Sequence, residues 1–231
     1  MGEGASGVIH QALWHGAADK HAAVKLFKGA LTSDGLPHSE MAACIMAGAH
    51  PNLIAVHGKI DDHPQGKKGL VMSLIAADFI NLAGPPSLES CTRDIYNDAT
   101  RFSLKAVVTM VLGIAAAAQH LHARGIMHGD LYAHNILHDA AGNALLGDFG
   151  AASFFSHEDE QRAQALQRIE VKAFSCLLEE LLQRCCSAGE SETTLNALAA
   201  LQMRCAYSTP AARPLFAEIL QILQRVQKQQ A

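Results

Sequence analysis

Charge is scarce in this sequence of 231 residues, since charged side chains make up 17% of it and apolar residues 49%. A disordered chain shows the opposite balance, so the composition excludes one and supplies enough apolar side chains for a core. The formal net charge is −4, from 18 basic and 22 acidic residues. Because a dedicated nucleic-acid-binding protein usually carries an excess of basic residues, we expect no nucleic-acid partner.

Paired cysteines and long apolar runs are also missing. The six cysteines are scattered and form no Cys-x-x-Cys pair, which argues against a zinc site or a disulfide framework and favours reduced thiols. The longest apolar run, between Lys105 and Gln119, is shorter than a bilayer requires. No basic segment followed by an apolar one opens the chain, so we expect no secretory signal. These features predict a cytoplasmic protein without a membrane partner.

The hydrophobic pattern divides the chain into a strand-rich part, residues 1–75, and a mainly helical part, residues 76–231. In the first part it predicts one helix, over about residues 39–49, and four strands: Val8–Trp14, Ala22–Phe27, Leu53–Ile60 and Leu70–Ile75. In the second part it predicts a small hairpin, Asn135–Leu137 with Ala144–Leu146, and four helices: Leu104–Ala123, Leu166–Cys186, Thr193–Cys205 and Pro214–Gln227. Ser103 is the expected N-cap of the first of these helices, and Pro214 is placed in the first turn of the last.

Two motifs in the first part suggest a phosphate site. The glycines of Gly2-Glu-Gly4-Ala-Ser-Gly7-Val-Ile9 precede a predicted strand, which favours a glycine-rich loop between two strands over a dinucleotide-binding loop. Lys25 stands alone in an apolar strand, where its amine is placed to contact phosphate oxygens, with Glu40 as its natural partner. The simpler alternatives are a flexible N-terminus and an exposed ion pair of little energetic value.

A third motif carries the strongest signal. His128-Gly-Asp130-Leu-Tyr-Ala-His-Asn135 follows the long predicted helix, and Asp148-Phe-Gly150 follows the predicted hairpin. Asp148 and Asn135 supply hard oxygen ligands for Mg²⁺, and Asp130 is suited to orient a hydroxyl and accept its proton. Each residue alone is also typical of a turn. Together, the three in this order indicate phosphoryl transfer.

The ordered motifs resemble a divergent, bacterial form of the eukaryotic-like (Hanks-type) protein-kinase domain. The resemblance implies a bilobed α+β fold over residues 1–231, with a small β-rich lobe over 1–75 and a larger helical lobe over 76–231. It assigns the catalytic roles to Asp130, Lys25 and Asn135, and the metal to Asn135 and Asp148. It further implies ATP contacts, which are assigned to Gly2, Gly4, Gly7, Ile9, Ala23, Lys25, Glu40, Met72, Ser73, Ile75, Leu137 and Asp148. Met72 matches the gatekeeper, and His128 and Phe149 match the apolar column that joins the lobes.

Several positions depart from the family pattern. Gly129 replaces the arginine that normally pairs with a phosphorylated activation loop, and Tyr132 replaces a lysine near the transferring phosphate. The segment between Gly150 and Glu170 is short and lacks Ala-Pro-Glu, so Arg213 has lost its usual partner. Glu170 stands where the family has an aspartate that braces the catalytic loop. The departures affect acceptor binding and regulation, and they spare the ATP and Mg²⁺ residues.

Three functions fit this pattern. The first is an ATP- and Mg²⁺-dependent kinase that phosphorylates serine or threonine hydroxyls of an unknown protein. The second is a small-molecule kinase, supported by the His-Gly-Asp form that aminoglycoside and choline kinase-like enzymes also show. The third is a catalytically weak ATP-binding scaffold, for which the complete catalytic loop would be needless.

Overall fold

The computed structural model describes residues 7–14, 20–28, 36–87, 89, 93–186, 189 and 191–229. These residues form the helices α1 Pro37–Ala47, α2 Leu104–Ala123, α3 Glu160–Gln183, α4 Glu192–Cys205 and α5 Phe216–Lys228. They form the strands β1 Gly7–Trp14, β2 Lys20–Phe27, β3 Val56–Ile60, β4 Gly69–Ser73, β5 Ile80–Asn81, β6 Ile126–Met127, β7 Ile136–His138, β8 Ala144–Leu146 and β9 Ser153–Phe154. A β-rich first part precedes a helical second part, which confirms the expected bilobed α+β class.

The first part is built on an antiparallel sheet with the strand order β1-β2-β4-β3. All four predicted strands are found, with β3 beginning at Val56 instead of Leu53 and β4 ending at Ser73 instead of Ile75. The strand β2 lies inside the sheet, and its Lys25 pairs with Ile9 on β1 and with Leu70 on β4. A lysine on an interior strand is held on a fixed face of the sheet, which sets the direction of its amine.

The helix α1 packs one face against this sheet. It begins at Pro37, whose fixed φ suits the first helical position, and ends before Gly48, whose φ is +66°. The buried positions Glu40, Met41, Cys44 and Ala47 recur at the three- and four-residue spacing of one helix face. The glutamate is therefore carried inward with the apolar side of the helix.

The helix α2 is the core of the second part, and its predicted bounds are confirmed. Its N-cap Ser103 accepts a hydrogen bond from the Ala106 N–H at 3.2 Å. Val107, Val111 and Ala118 on its inner face are fully buried, and burying each valine contributes roughly 1.5–3 kcal/mol. The 20-residue helix is by length and composition apolar enough to cross a membrane, which the length of the apolar run in the sequence did not predict. However, 67% of its most apolar stretch is buried inside the protein, as in a core helix.

Two later helices begin elsewhere than predicted. The helix α3 begins at Glu160, before the expected Leu166, because Asp159 caps it by accepting a hydrogen bond from the Arg162 N–H at 3.0 Å. Glu170 consequently lies in the middle of α3. The helix α5 begins at Phe216, so the placement of Pro214 in its first turn was wrong; the proline precedes the helix.

Short strands, including a hairpin, flank the loops that carry the third sequence motif. The predicted hairpin is confirmed as β7 and β8, which pair Ile136 with Leu146. The strand β5 pairs with β7, and β6 pairs with β9. The strand β6 ends just before His128, β7 begins just after Asn135, and β8 ends just before Gly147. The sequence motifs therefore occupy the loops at the ends of these strands.

Candidate active site

A buried ion pair joins the sheet to α1. The Lys25 amine contacts Glu40 Oε1, and the two side chains are 10% and 3% exposed. The amine also lies 3.9 Å from Asp148 Oδ1. A buried charge requires a partner of opposite sign, and here it has one carboxylate from α1 and a second from the loop after β8. The arrangement brings together Lys25, Glu40 and Asp148, three of the residues that the sequence predicted for phosphate and metal binding.

Gly7, at the start of β1, approaches β2 too closely for any other residue. A Cβ added at Gly7 would lie 2.6 Å from the Leu26 carbonyl oxygen, which no real Cβ tolerates. Of the other glycines in its motif, Gly2 and Gly4 lie outside the described residues. Gly7, the motif glycine that the structure describes, thus lies close to β2, the strand that carries Lys25.

The histidine that opens the third motif is a structural element of the loop. His128 is fully buried, and its Nε2 donates to the Gly147 carbonyl oxygen at 2.8 Å. Its Nδ1 accepts from the Asp130 N–H at 3.3 Å, and its ring centroid lies 5.1 Å from that of Phe149. The two residues that the resemblance assigns to one apolar column are therefore in ring contact.

The side chain of Asn135 donates two hydrogen bonds to Asp130. Asn135 Nδ2 donates to the Asp130 carbonyl oxygen at 3.0 Å and to Asp130 Oδ2 at 2.7 Å. The amide nitrogen of Asn135 is therefore engaged by Asp130, and its amide oxygen remains available as an acceptor or ligand. The Gly147 N–H donates to the Asn135 carbonyl oxygen at 2.9 Å, which places Asn135 beside the loop that carries Asp148.

Asp148 has an unusual backbone conformation. Its φ is +49°, and it is the one non-glycine residue with a positive φ among those that the structure describes. Its Oδ1 accepts from the Gly150 N–H at 3.1 Å, and its side chain is 43% exposed. Left-handed backbone at a non-glycine residue costs about 1–2 kcal/mol and concentrates at functional sites. At Asp148 this strained backbone conformation places an ionisable side chain next to Lys25 and partly in solvent.

Asp94, a carboxylate that the sequence reasoning missed, is connected to Asp130 through His134. Asp94 Oδ1 contacts His134 Nδ1 at 2.6 Å, and His134 Nε2 contacts Asp130 Oδ2 at 3.1 Å. The hydrogen bonds to Asp130 and Asp94 raise the pKa of His134 to about 10. Reciprocally, the hydrogen bond from His134, with that from Asn135, lowers the pKa of Asp130 against the effect of burial. Asp94 belongs to no motif, so no local signal identified it.

Glu170 braces the catalytic loop from α3. Its Oε1 accepts from the Gly129 N–H at 2.7 Å, and its Oε2 contacts His122 Nε2 at 2.6 Å. Burial acts to raise the pKa of Glu170, but hydrogen bonds from His122 and Gly129 and nearby histidine charge hold it below its usual range. The longer side chain thus makes the contact expected of an aspartate at this position.

Gly129 explains the absence of the expected arginine. Its φ is +82°, and a Cβ added there would lie 2.2 Å from the Ala151 carbonyl oxygen. No side chain fits this position without a backbone shift, so the glycine is required by the path of the loop. Arg213, whose usual partner is missing, instead donates to the carbonyl oxygens of Tyr207 at 2.8 Å and Arg168 at 2.9 Å.

We expect Gly129→Ala to lower the free energy of unfolding by about 2 kcal/mol or more, because it combines left-handed strain with a backbone clash. Gly66→Ala is the matched control, since Gly66 has a φ of +68° and open space around its Cβ position. Urea unfolding at 25 °C measures both variants. Equal losses in the two would contradict the clash at Ala151.

The remaining predicted ATP contacts lie on the strands beside these loops. Ile9 is on β1, Ala23 on β2 opposite Met72 on β4, and Leu137 on β7. Ser73 ends β4, and Ile75 lies in the segment that leaves it. The contacts of these residues with a nucleotide remain a prediction.

The arrangement has the parts that phosphoryl transfer needs: a cation for phosphate oxygens, hard oxygen ligands for a metal, and a carboxylate to receive a proton. Lys25 is the candidate cation. Asp148 and Asn135 are the candidate metal ligands, and Asp130 is the candidate proton acceptor. The structure brings Lys25, Glu40 and Asp148 together, and it separately joins Asp130 to Asn135.

Comparison with known proteins agrees with this assembly. A sequence model of the family described as protein tyrosine and serine/threonine kinase matches residues 1–187. A probable serine/threonine-protein kinase of Arabidopsis thaliana is 27% identical over 112 residues, which are 48% of this chain and 14% of the relative. Another, of Dictyostelium discoideum, is 28% identical over 166 residues, 71% of this chain and 9% of the relative. A putative serine/threonine-protein kinase of Acanthamoeba polyphaga mimivirus is 27% identical over 183 residues, 77% of this chain and 30% of the relative. The chain thus spans less than a third of each of these relatives.

Proposed function

Because this chain belongs to the protein tyrosine and serine/threonine kinase family, we propose that it transfers the γ-phosphate of ATP to a serine or threonine hydroxyl of a protein. The observation that carries the proposal is the joint placement of Asp130 and Asn135 beside the loop of Asp148, which in turn faces Lys25. The names of the relatives favour serine or threonine as the acceptor. The departures at Gly129 and Tyr132 support a divergent form of the domain.

In the proposed reaction, Asp130 acts as the base. The acceptor hydroxyl oxygen attacks the γ-phosphorus and passes its proton to the Asp130 carboxylate, while the bond to the β,γ-bridging oxygen breaks and ADP leaves. The carboxylate suits this role because it is partly exposed and because the fold lowers its pKa, which keeps it ionised at neutral pH. Lys25, fixed by Glu40, contributes a positive charge for the phosphate oxygens.

The residues present fit a magnesium ion. Asp148 offers a half-exposed carboxylate, and Asn135 offers an amide oxygen whose neighbouring nitrogen is already engaged by Asp130. Both groups are hard oxygen donors, and Mg²⁺, a hard cation, binds oxygen ligands. When bound, Mg²⁺ neutralises the phosphate charge that develops during transfer. The family generally uses ATP with Mg²⁺, and we propose that Asp148 and Asn135 hold the ion here.

We propose that the adenine ring binds between the two lobes. Ile9 and Ala23 of the β-rich lobe would contact one face of the ring, and Leu137 of the helical lobe would contact the other. The backbone of Ser73 and Ile75 would meet its polar edge, with Met72 behind it. The support is that β2 and β4 pair Ala23 directly with Met72, which places these two residues side by side on adjacent strands.

The test is intact-mass measurement after incubation with Mg·ATP, with and without a generic serine/threonine acceptor protein. We expect a phosphate mass increment on this chain or on the acceptor. Asp130→Asn should slow the transfer at least about a hundredfold, because the amide cannot take the proton. Phosphate transfer only to added metabolites would favour a small-molecule kinase. A rise in melting temperature with Mg·ATP but no transfer would favour the ATP-binding scaffold.

A further inference from the structure

A buried carboxylate outside the sequence motifs anchors the ring of His134. The Asp94 side chain is 3% exposed, and its two oxygens engage His134 at two points. Oδ2 accepts from the His134 backbone N–H at 3.1 Å, and Oδ1 accepts from the ring Nδ1 at 2.6 Å. Holding both the backbone and the ring of one residue fixes the ring's position and its plane.

The opposite ring nitrogen reaches the catalytic carboxylate. His134 Nε2 donates to Asp130 Oδ2 at 3.1 Å, and Asn135 Nδ2 donates to the same oxygen at 2.7 Å. Among the described residues, no donor contacts Asp130 Oδ1. The Tyr132 ring lies nearly parallel to the His134 ring, with 6.3 Å between the ring centroids.

We propose that His134 is a positioning residue that, backed by Asp94, fixes Asp130 with Oδ2 engaged and Oδ1 presented to the acceptor hydroxyl. A carboxylate held by one donor can rotate about its Cβ–Cγ bond, and either oxygen then faces the substrate. Two donors on a single oxygen stop that rotation and leave one defined acceptor. Such orientation of a base lowers the barrier to transfer without changing how ATP binds. The inference rests on the proposed kinase activity.

Two substitutions separate the contacts of the ring. The side-chain nitrogen of asparagine occupies nearly the place of His134 Nδ1, so His134→Asn retains a donor toward Asp94 and loses the one toward Asp130. The longer glutamine places its nitrogen near that of Nε2, so His134→Gln retains a donor toward Asp130. Both variants keep the backbone N–H that Asp94 accepts. They are therefore matched in polarity and differ in which carboxylate they reach.

The experiment measures kcat and the KM for ATP of the wild type and both variants. We expect His134→Asn to lower kcat about thirtyfold with the KM for ATP unchanged, and His134→Gln to recover a large part of that loss. The melting temperature, with and without Mg·ATP, verifies that each variant is folded and binds nucleotide. A wild-type kcat in His134→Asn would overturn the proposal, as would equal losses in a folded asparagine and a folded glutamine variant.

A second measurement distinguishes this failure from failure of the proposed function. Long-range ¹H–¹⁵N spectra of the wild type should show the proton on each ring nitrogen of His134 hydrogen-bonded, and the Asp94→Ala variant, which has no side-chain acceptor, should lose the bond at Nδ1. If those bonds are present and no acceptor is phosphorylated, the kinase activity is refuted, and the positioning role with it. If transfer occurs and the bonds are absent, the positioning role alone is refuted.

Discussion

Replacing Asp148 by asparagine is expected to reduce phosphoryl transfer at least about a thousandfold, because the charge that holds Mg²⁺ near the phosphates is lost. The same carboxylate lies 3.9 Å from the Lys25 amine and orders its own loop through the Gly150 N–H. Asparagine retains an oxygen for the hydrogen bond from Gly150, so the fold should persist. Intact-mass measurement of phosphate on the acceptor, over a time course with Mg·ATP, quantifies the loss.

Asp61→Asn is the matched control for this variant. Asp61 is also a partly exposed carboxylate that pairs with lysines, Lys59 at 2.7 Å and Lys68 at 3.2 Å, but it lies in the turn between β3 and β4. Exposed pairs of this kind contribute little to stability, so the control should keep full activity and near-normal stability. Phosphoryl transfer that survives in Asp148→Asn at the control's rate would refute the assigned role.

Removing the Glu170 side chain is expected to lower the free energy of unfolding by about 3 kcal/mol or more. Glu170→Ala leaves the Gly129 N–H and the buried His122 without the carboxylate that both contact, and unpaired buried polar groups are costly. Glu179→Ala on the same helix is the control, because the 42% exposed Glu179 pairs with exposed Arg93. Urea unfolding at 25 °C compares the two, and a similar small loss in both would contradict the bracing role.

The same carboxylate makes stability depend on pH. The fold lowers the pKa of Glu170 below its ordinary 4.5, so its contribution is complete above that pH and is lost as the pH falls below it. Glu170→Ala should therefore show a weaker loss of stability between neutral and acidic pH than the wild type does. Denaturation curves collected across that range test the sign directly.

The sequence predicted those elements whose apolar pattern was continuous. The helix α2 and the β7–β8 hairpin matched their predicted positions because buried positions dominate them. The first turns of α3 were missed because they are mainly polar, although Asp159 is a strong N-cap type. The two-residue strands β6 and β9 are too short to show any period.

The site was predictable to the extent that its residues lie within motifs. Lys25, Glu40, Asp130, Asn135 and Asp148 were each identified from residue type and order. Their distances depend on how α1 packs on the sheet and on how the hairpin closes, and one sequence does not contain that information. Asp94 could not be found, because its contact with His134 arises from a loop that shows no pattern.

The left-handed backbone at Gly129 also limits how this domain can change by mutation. An arginine introduced there by a single substitution would meet the Ala151 carbonyl oxygen, so it would destabilise the loop before it could bind any phosphate. Residue 151 and its neighbours would have to move first. The substitution is therefore contingent on earlier changes, because arginine at residue 129 alone gives a less stable domain that selection would remove.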